Sequence, residues 1–244
     1  MTVSGSTGAS PTLWLFDFDN TLAALEPEVD WAASRRELEA FLRNEGIGGG
    51  IFEEFPNGNL LLYDALRSRL HNGSHGPATS ISIDLLLRRA SEIIETYELR
   101  GVDRAAALPG AEELLRSLAV STTSTIVVIT SNSSRTVRRW LELRHLTGLV
   151  HAIVGRDSML ALKPSPDSVK RALSLCSASP ANAIFVGDSE ADLKAACAAQ
   201  VEFYGLGARA EARARLVAAG ANQVFESPMA LAAYFGLCRS AENA

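Results

Sequence analysis

The sequence predicts an α/β fold: a Rossmann-like open parallel sheet that carries an inserted all-helical subdomain. Short, continuous apolar runs at 13–16, 125–130 and 183–188 are each bounded by polar or turn residues, and a helix-like stretch follows each of them. Such runs are typical of strands that are buried on both faces of a parallel sheet. The long stretch between the first two runs shows helical periodicity and no convincing strand, which predicts the insertion.

Strand-like and helix-like segments alternate over 106–240. Two further apolar runs, at 151–155 and 201–207, fit this rhythm. The predicted helices between the strands cover 111–119, 134–146 and 166–175. The last of these begins with proline, a residue favoured at the first position of a helix. Alternation of this kind favours parallel strands that are joined by right-handed helical crossovers.

Helical patterns also fill the insertion, near 28–45, 59–71 and 80–99, and the connections between them are rich in glycine and asparagine. An all-helical insertion of this size fits a separate subdomain better than one overlong loop. The predicted division of the chain is a flexible leader over 1–11, an α/β core over 12–24 and 106–240, and a helical subdomain over 25–105.

The chain has 244 residues and a net charge of −5. Residues 23–108 contain 14 acidic and 9 basic residues, whereas the remainder has 14 of each, so the surplus negative charge lies in the insertion. Scattered basic residues argue against a nucleic-acid partner. No apolar run approaches the roughly 18 residues of a membrane span. Three cysteines without paired spacing, and a start that lacks a secretion signal, predict a reduced, cytoplasmic protein.

Polar residues follow the predicted strands at the points where each strand ends. Ligands of open α/β sheets bind beyond the carboxyl ends of the strands, so these residues are expected to converge on one edge. Each feature alone has an ordinary explanation as a polar turn, a helix cap or a solvated loop. Four of them in order at successive strand ends predict a site. The candidates are Asp17, Asp19, Thr21, Thr130, Ser131, Asn132, Lys163, Asp188 and Asp192.

The motifs that contain these residues resemble those of the haloacid dehalogenase-like hydrolase superfamily. They are DFDNT at 17–21, a hydroxyl residue after the next strand, KPSP at 163–166 and VGDSEAD at 186–192. The segments 107–118 and 163–173 are similar to its phosphoglycolate-phosphatase-like branch. A helical insertion between the first and second motifs matches one class of cap in this superfamily.

The resemblance implies an Mg²⁺-dependent phosphatase that hydrolyses a small phosphomonoester through an aspartyl-phosphate. Asp17 would be the nucleophile, with Lys163 beside it. Mg²⁺ would bind the side chains of Asp17 and Asp188 and the backbone carbonyl of Asp19, which are hard oxygen ligands. With one carboxyl protonated, Mg²⁺ and one lysine balance the four carboxylates of the site, which offsets the cost of burying them.

The remaining residues have implied roles as well. Thr130, with Ser131 and Asn132 after it, would hold the phosphoryl group, and either Thr130 or Ser131 would supply the hydroxyl. Thr21 and Asp192 would support the site. Asp19 would protonate the leaving group and then activate water, a role that suits a raised pKa.

Two related activities do not fit the residues. Dehalogenases of this superfamily lack the second acid, and phosphonate-cleaving relatives need a cap lysine. All three lysines of the chain, Lys163, Lys170 and Lys194, lie outside the insertion. The alternatives are a phosphomutase and a catalytically idle homologue that binds a phosphorylated ligand. Position 20 is asparagine where many members of the branch have glycine.

In the insertion, Trp31 is a candidate substrate contact, although core packing is the more common role of such an aromatic. Arg35, Arg36, Arg67 and Arg69 are candidates to bind a substrate carboxylate or second phosphate, although most are expected on solvated helix faces.

Overall fold

The computed structural model describes residues 12–71, 81–120 and 124–237, so the predicted leader over 1–11 and Cys238 lie outside the described residues. Six strands form one parallel sheet in the order β3-β2-β1-β4-β5-β6. Their bounds are Leu13–Phe16 (β1), Thr125–Ile129 (β2), Ala152–Val154 (β3), Ala183–Gly187 (β4), Glu202–Leu206 (β5) and Gln223–Phe225 (β6).

Four helices lie between β1 and β2 in the described part of the insertion: α1 (Trp31–Asn44), α2 (Gly50–Glu54), α3 (Asn59–His71) and α4 (Ile83–Val102). The helices that follow belong to the sheet layer: α5 (Ala111–Val120), α6 (Ser134–Leu143), α7 (Asp167–Leu175), α8 (Glu190–Ala198), α9 (Ala210–Ala218) and α10 (Pro228–Tyr234). The predicted fold class is confirmed. The sequence reading missed the edge strand β6 and the five-residue α2, which are too short to show a clear period.

Side chains of each central strand alternate between two cores, one on each face of the sheet. Trp14 and Phe16 of β1 lie in one cluster with α5, α6 and α10, and Leu13 and Leu15 lie in the other with α7 and α8. Burial on both faces explains why these strands are continuously apolar. The insertion has a third cluster of its own, which also receives Leu162 from the loop before α7.

The chain enters and leaves the insertion side by side. Ala23 and Ala107 form an antiparallel bridge, and the Ala24 N–H donates to the Ala106 carbonyl at 2.9 Å. The helices therefore stand on a two-stranded base directly beyond β1. In the described ranges, none of the helices has both the length and the hydropathy that a membrane crossing requires. The cytoplasmic location stays a prediction.

Candidate active site

The ends of β1, β2 and β4 bring the first, second and fourth motifs together. Phe16 of β1 pairs with Val128 of β2 and Val186 of β4, so the residues after these strands lie at one edge of the sheet. A cleft of about 1110 Å³ lies between this edge and the insertion. Seven of the nine predicted residues line it: Asp17, Asp19, Thr130, Ser131, Asn132, Lys163 and Asp188.

Lys163 lies at the centre of the charged groups. Its Nζ is 2.5 Å from Oδ1 of Asp17 and 2.5 Å from Oδ1 of Asp192, and all three side chains are less than a tenth exposed. Burial alone would lower the pKa of Lys163, but the charges of Asp17 and Asp192 outweigh it and hold that pKa above its usual range. Lys163 is therefore a permanent cation beside the predicted nucleophile.

Burial has the opposite effect on the carboxylates. It raises the pKa of Asp17 well above its usual range, and the charges of Asp192 and Asp188 add to this rise, against the attraction of Lys163. Burial and then the charge of Asp192 raise the pKa of Asp188 to about 7. One lysine therefore leaves the acidic groups undercompensated.

The undercompensated carboxylates form a donor set for a cation. Carboxylate oxygens of Asp17, Asp188 and Asp192 lie within 4.8 Å of one another. Three carboxylate oxygens this close together carry more negative charge than Lys163 balances. Such hard oxygen donors suit a small divalent cation such as Mg²⁺. The sequence prediction assigned the backbone carbonyl of Asp19 and gave Asp192 a supporting role, whereas the side-chain cluster contains Asp192.

Asp192 also fixes the start of α8. Its Oδ2 accepts the Ser189 N–H at 3.1 Å and the Ser189 hydroxyl at 2.6 Å, and the Asp192 N–H donates to Ser189 Oγ in return. This capping box leaves Oδ1 for Lys163. Gly187 permits the arrangement, because a Cβ at that position would lie 2.6 Å from Cβ of Asp192. Thr21, which is fully buried, donates to Asp188 Oδ1 at 3.5 Å.

Asp19 lies in the turn after β1 and faces the base of the insertion. Its Oδ1 accepts the backbone N–H groups of Leu25 at 2.8 Å and Glu26 at 3.0 Å. Burial raises its pKa to about 6, although these two hydrogen bonds oppose the rise. The raised pKa is in the direction that suits the predicted role of Asp19, and its main cause is burial.

The unusual residue in the first motif suits its backbone. Asn20 has φ of 59°, in the left-handed region, and its N–H donates to the Ala23 carbonyl at 2.7 Å. Asparagine tolerates this region better than other residues with a side chain, so it fills a position where glycine is common in the branch.

The residues after β2 form a tight polar turn. The Thr130 hydroxyl donates to Oδ1 of Asn132 at 3.0 Å and accepts the Asn132 N–H at 3.0 Å. These two bonds hold the Thr130 hydroxyl within the turn, while Ser131 also lines the cleft. Both residues stay candidates for the hydroxyl that contacts the phosphoryl group.

A buried ion pair that the sequence reading missed holds this turn. Glu98 of α4 and Arg156, which follows β3, are both fully buried, and Arg156 Nη1 donates to Glu98 Oε1 at 2.8 Å. Glu98 also accepts from Asn132 Nδ2 and the Ser133 N–H, each at 3.0 Å. Arg156 Nη1 donates to the Ser131 carbonyl at 2.9 Å as well. Burial would raise the pKa of Glu98, but Arg156 and these donors outweigh it and lower that pKa.

One signal in the sequence points to Glu98. It lies four residues after Ile94 and eight after Ala90, which are both fully buried, so helical spacing places an acid on the apolar face of α4. A buried carboxylate needs a partner. Nothing in the local pattern identifies Arg156 as that partner, because the two residues are 58 positions apart.

Comparison with known proteins assigns the chain to a family. Residues 75–206 match the model of the haloacid dehalogenase-like hydrolase family. The chain belongs to this family, and it is an enzyme of the phosphatase type. The match covers Lys163, Asp188 and the turn after β2, and β1 with its two aspartates lies before it.

Individual relatives agree with this assignment. A Pseudomonas putida protein named phosphoglycolate phosphatase is 27% identical over 82% of this chain and 70% of its own length. A hydrolase from Pseudomonas syringae of known structure is 25% identical, covers 93% of this chain and 99% of its own, and has a TM-score of 0.60. A structure from Lactobacillus delbrueckii, titled putative phosphoglycolate phosphatase, has a TM-score of 0.64 at 15% identity and covers 95% of this chain and 100% of its own.

Proposed function

We propose that the enzyme is an Mg²⁺-dependent phosphatase that hydrolyses a small phosphomonoester through an aspartyl-phosphate on Asp17. The observation that carries the proposal is the position of Asp17 at the cleft, with Lys163 Nζ 2.5 Å from its Oδ1 and two more carboxylates nearby. A carboxylate must be ionised to attack phosphorus. Lys163 favours that form, and a cation on the acidic cluster would favour it further.

Mg²⁺ held by Asp17 and Asp188, with the Asp19 carbonyl as predicted, would supply positive charge where the phosphate dianion meets the nucleophile. In the first step an oxygen of Asp17 attacks phosphorus, and the bond from phosphorus to the ester oxygen breaks. Asp19 gives its proton to the departing oxygen. In the second step Asp19 takes a proton from water, which attacks phosphorus and releases phosphate and free Asp17.

The pKa of about 6 at Asp19 supports its role, because an acid that titrates near neutral pH gives and regains a proton readily. We assign the phosphoryl oxygens to Lys163 and to the turn of Thr130, Ser131 and Asn132. The segment 25–105 would act as a cap that covers the cleft and limits the access of water.

The test is phosphate release from a panel of phosphomonoesters, with and without Mg²⁺, by the wild type and an Asp17→Asn variant. Phosphoglycolate belongs in the panel because the relatives are named for it. Loss of the nucleophile should lower kcat by about 10⁴-fold or more. Asp84→Asn, at an exposed position in the first turn of α4, is the matched control and should keep full activity.

Full activity in Asp17→Asn would refute the nucleophile assignment. Release that is indifferent to chelation would refute the role of Mg²⁺. No release from any compound would favour the idle homologue, and conversion of a sugar phosphate into its isomer, followed by ³¹P NMR, would favour the phosphomutase.

A further inference from the structure

The cleft has a second wall, which the insertion provides. Opposite the charged edge of the sheet, the lining comes from the start of α1, the segment between α2 and α3, and α3 itself. The volume of about 1110 Å³ is large for a site that holds a two-carbon phosphate ester, since pockets of about 300–1,000 Å³ bury drug-sized ligands. This wall would surround the part of the substrate that departs with the ester oxygen.

The second wall is rich in apolar side chains. Trp31, Phe55, Pro56, Leu60 and Leu61 all line the cleft. Leu61 is 62% exposed, among the highest values for a large apolar residue in the described ranges. A single exposed leucine needs no explanation, but several apolar side chains that line one cleft are typical of a ligand site.

The arginine that lines this wall already has an acidic and a carbonyl partner. Arg35 donates from Nε to Glu39 at 2.5 Å and from Nη2 to the Phe55 carbonyl at 2.6 Å. Its Nη1 has no hydrogen-bond partner among the described residues, but this atom is buried and is not exposed to the cleft. The wall has no lysine, since the insertion contains none.

Acidic side chains at the cleft also disfavour an anionic leaving group. Glu26 and Asp64 also line the cleft, and Asp64 is paired with Arg67, whose Nε donates to its Oδ1 at 3.0 Å. A carboxylate or second phosphate on the substrate would meet Glu26 and would lose its water beside arginines that already have acidic partners. A neutral group avoids both costs and gains contact with the apolar surface.

We propose that the substrate carries a neutral, mainly apolar leaving group, and that the wall of Trp31, Phe55 and Leu61 selects it over an anionic one. The inference rests on the proposed phosphatase function. It predicts that this enzyme prefers other esters to phosphoglycolate, the compound in the names of its relatives.

Two matched pairs of compounds test this. The amide of phosphoglycolate has the size of phosphoglycolate without its carboxylate charge, and benzyl phosphate has an apolar ring in place of the methyl group of ethyl phosphate. Because one methylene in an apolar pocket changes kcat/KM by about 10-fold or more, the amide should be favoured over phosphoglycolate, and benzyl phosphate over ethyl phosphate, by at least that factor. Equal or higher kcat/KM for phosphoglycolate than for its amide would overturn the proposal.

Three variants locate the effect. Leu61→Ala should lower kcat/KM for benzyl phosphate by about 10-fold and more than for ethyl phosphate. Leu61→Lys should raise the ratio of phosphoglycolate to its amide, because it places a cation on the wall. Val217→Ala removes a similarly exposed apolar side chain from α9 and is the control. Identical ratios in the wild type and both Leu61 variants would refute the assignment to this wall.

The Arg35→Met variant tests the alternative that Arg35 binds an anionic group of the substrate. If Arg35 binds a substrate anion, this variant loses activity on phosphoglycolate selectively, which would overturn the proposal; a uniform change across the panel agrees with it. Failure of the phosphatase function itself has a different signature, namely no release from any compound or full activity in Asp17→Asn. Release that requires Asp17 but favours phosphoglycolate would refute the leaving-group inference alone.

Discussion

Two buried ion clusters of the structure, one around Lys163 and one around Arg156, differ in charge balance. In one, Lys163 is the partner of Asp17 and Asp192, and Asp188 lies close by. In the other, Arg156 and Glu98 match one to one, with no exposure of either side chain. Burial is similar, yet the pKa of Asp17 is raised while that of Glu98 is lowered.

The number of hydrogen-bond donors around each carboxylate explains why the two pKa values shift in opposite directions. Arg156 donates to Glu98 through Nη1 and Nη2, to the Ser131 carbonyl, and from Nε and Nη2 to Ser91. Each charge in that cluster has a full set of partners. The Lys163 cluster has more acids than cations and opens on the cleft, so it retains the capacity to bind a further cation and a substrate.

The largest expected loss of stability comes from removing the cation of the Arg156–Glu98 pair. Arg156→Met leaves Glu98 buried without its cation, and we expect the free energy of unfolding to fall by about 3–5 kcal/mol. Urea denaturation followed by circular dichroism measures this. Arg156 also holds the Ser131 carbonyl, so kcat should fall under conditions in which the variant is folded. A loss below about 1 kcal/mol would show that the pair contributes little more than a surface pair.

Lys163→Met removes the cation from the acidic cluster at the cleft, and the stability of this variant should depend on Mg²⁺. We expect a loss of about 3 kcal/mol in chelator, because Asp17 and Asp192 lose their cation. Saturating Mg²⁺ should restore more stability to this variant than it adds to the wild type, since cation binding to the folded state is linked to its stability. An equal increment in both proteins would contradict the assignment of the acidic cluster as the metal site.

The pH dependence of stability should distinguish the clusters as well. Folding raises the pKa of Asp188 from its ordinary value of 3.8 to about 7. Between these values the folded protein binds more protons than the unfolded chain, so this residue makes the free energy of unfolding fall as pH rises. Glu98, with a lowered pKa, stabilises above its unfolded pKa and loses this effect as pH falls through its folded pKa.

We therefore expect Asp188→Asn, in chelator, to remove part of the decrease between about pH 4 and 7, by an amount on the order of 2 kcal/mol. The measurement is urea denaturation at several pH values. Saturating Mg²⁺ should flatten the wild-type profile, because a bound cation favours the ionised carboxylate. Parallel profiles for the wild type and Asp188→Asn in chelator would count against the pKa shift.

The smallest effect is expected at a surface pair that joins the same part of the chain. Arg139 of α6 donates to Asp103, just after α4, through Nε at 2.9 Å and Nη2 at 3.0 Å, and both side chains are about half exposed. Arg139→Met should cost no more than about 1 kcal/mol, which makes it the control for Arg156→Met. Similar losses in the two variants would mean that burial does not decide the strength of these pairs.

Short-range pattern made much of the fold and most of the charged edge predictable. Asp17, Thr130 and Asp188 come directly after β1, β2 and β4, so the end of each strand fixes the position of the residue. Arg156 and Glu98 were not predictable as a pair, because their contact depends on how α4 packs against the turn after β3. The apolar wall was hidden for the same reason. In α3, the buried Leu62 and the exposed Leu61 are adjacent and chemically identical, and only the packing of the helix distinguishes them.

Different helices of the insertion hold the turn after β2 and line the cleft. Glu98 and Ser91, which hold Arg156, belong to α4, whereas Trp31 and Leu61 belong to α1 and α3. Mutations on the α1 and α3 surface can therefore change which ester is accepted while the hydrogen bonds around Ser131 and Asn132 persist. Single substitutions on α1 and α3 can thus change the substrate preference stepwise, because the residues that hold the catalytic turn lie on another helix.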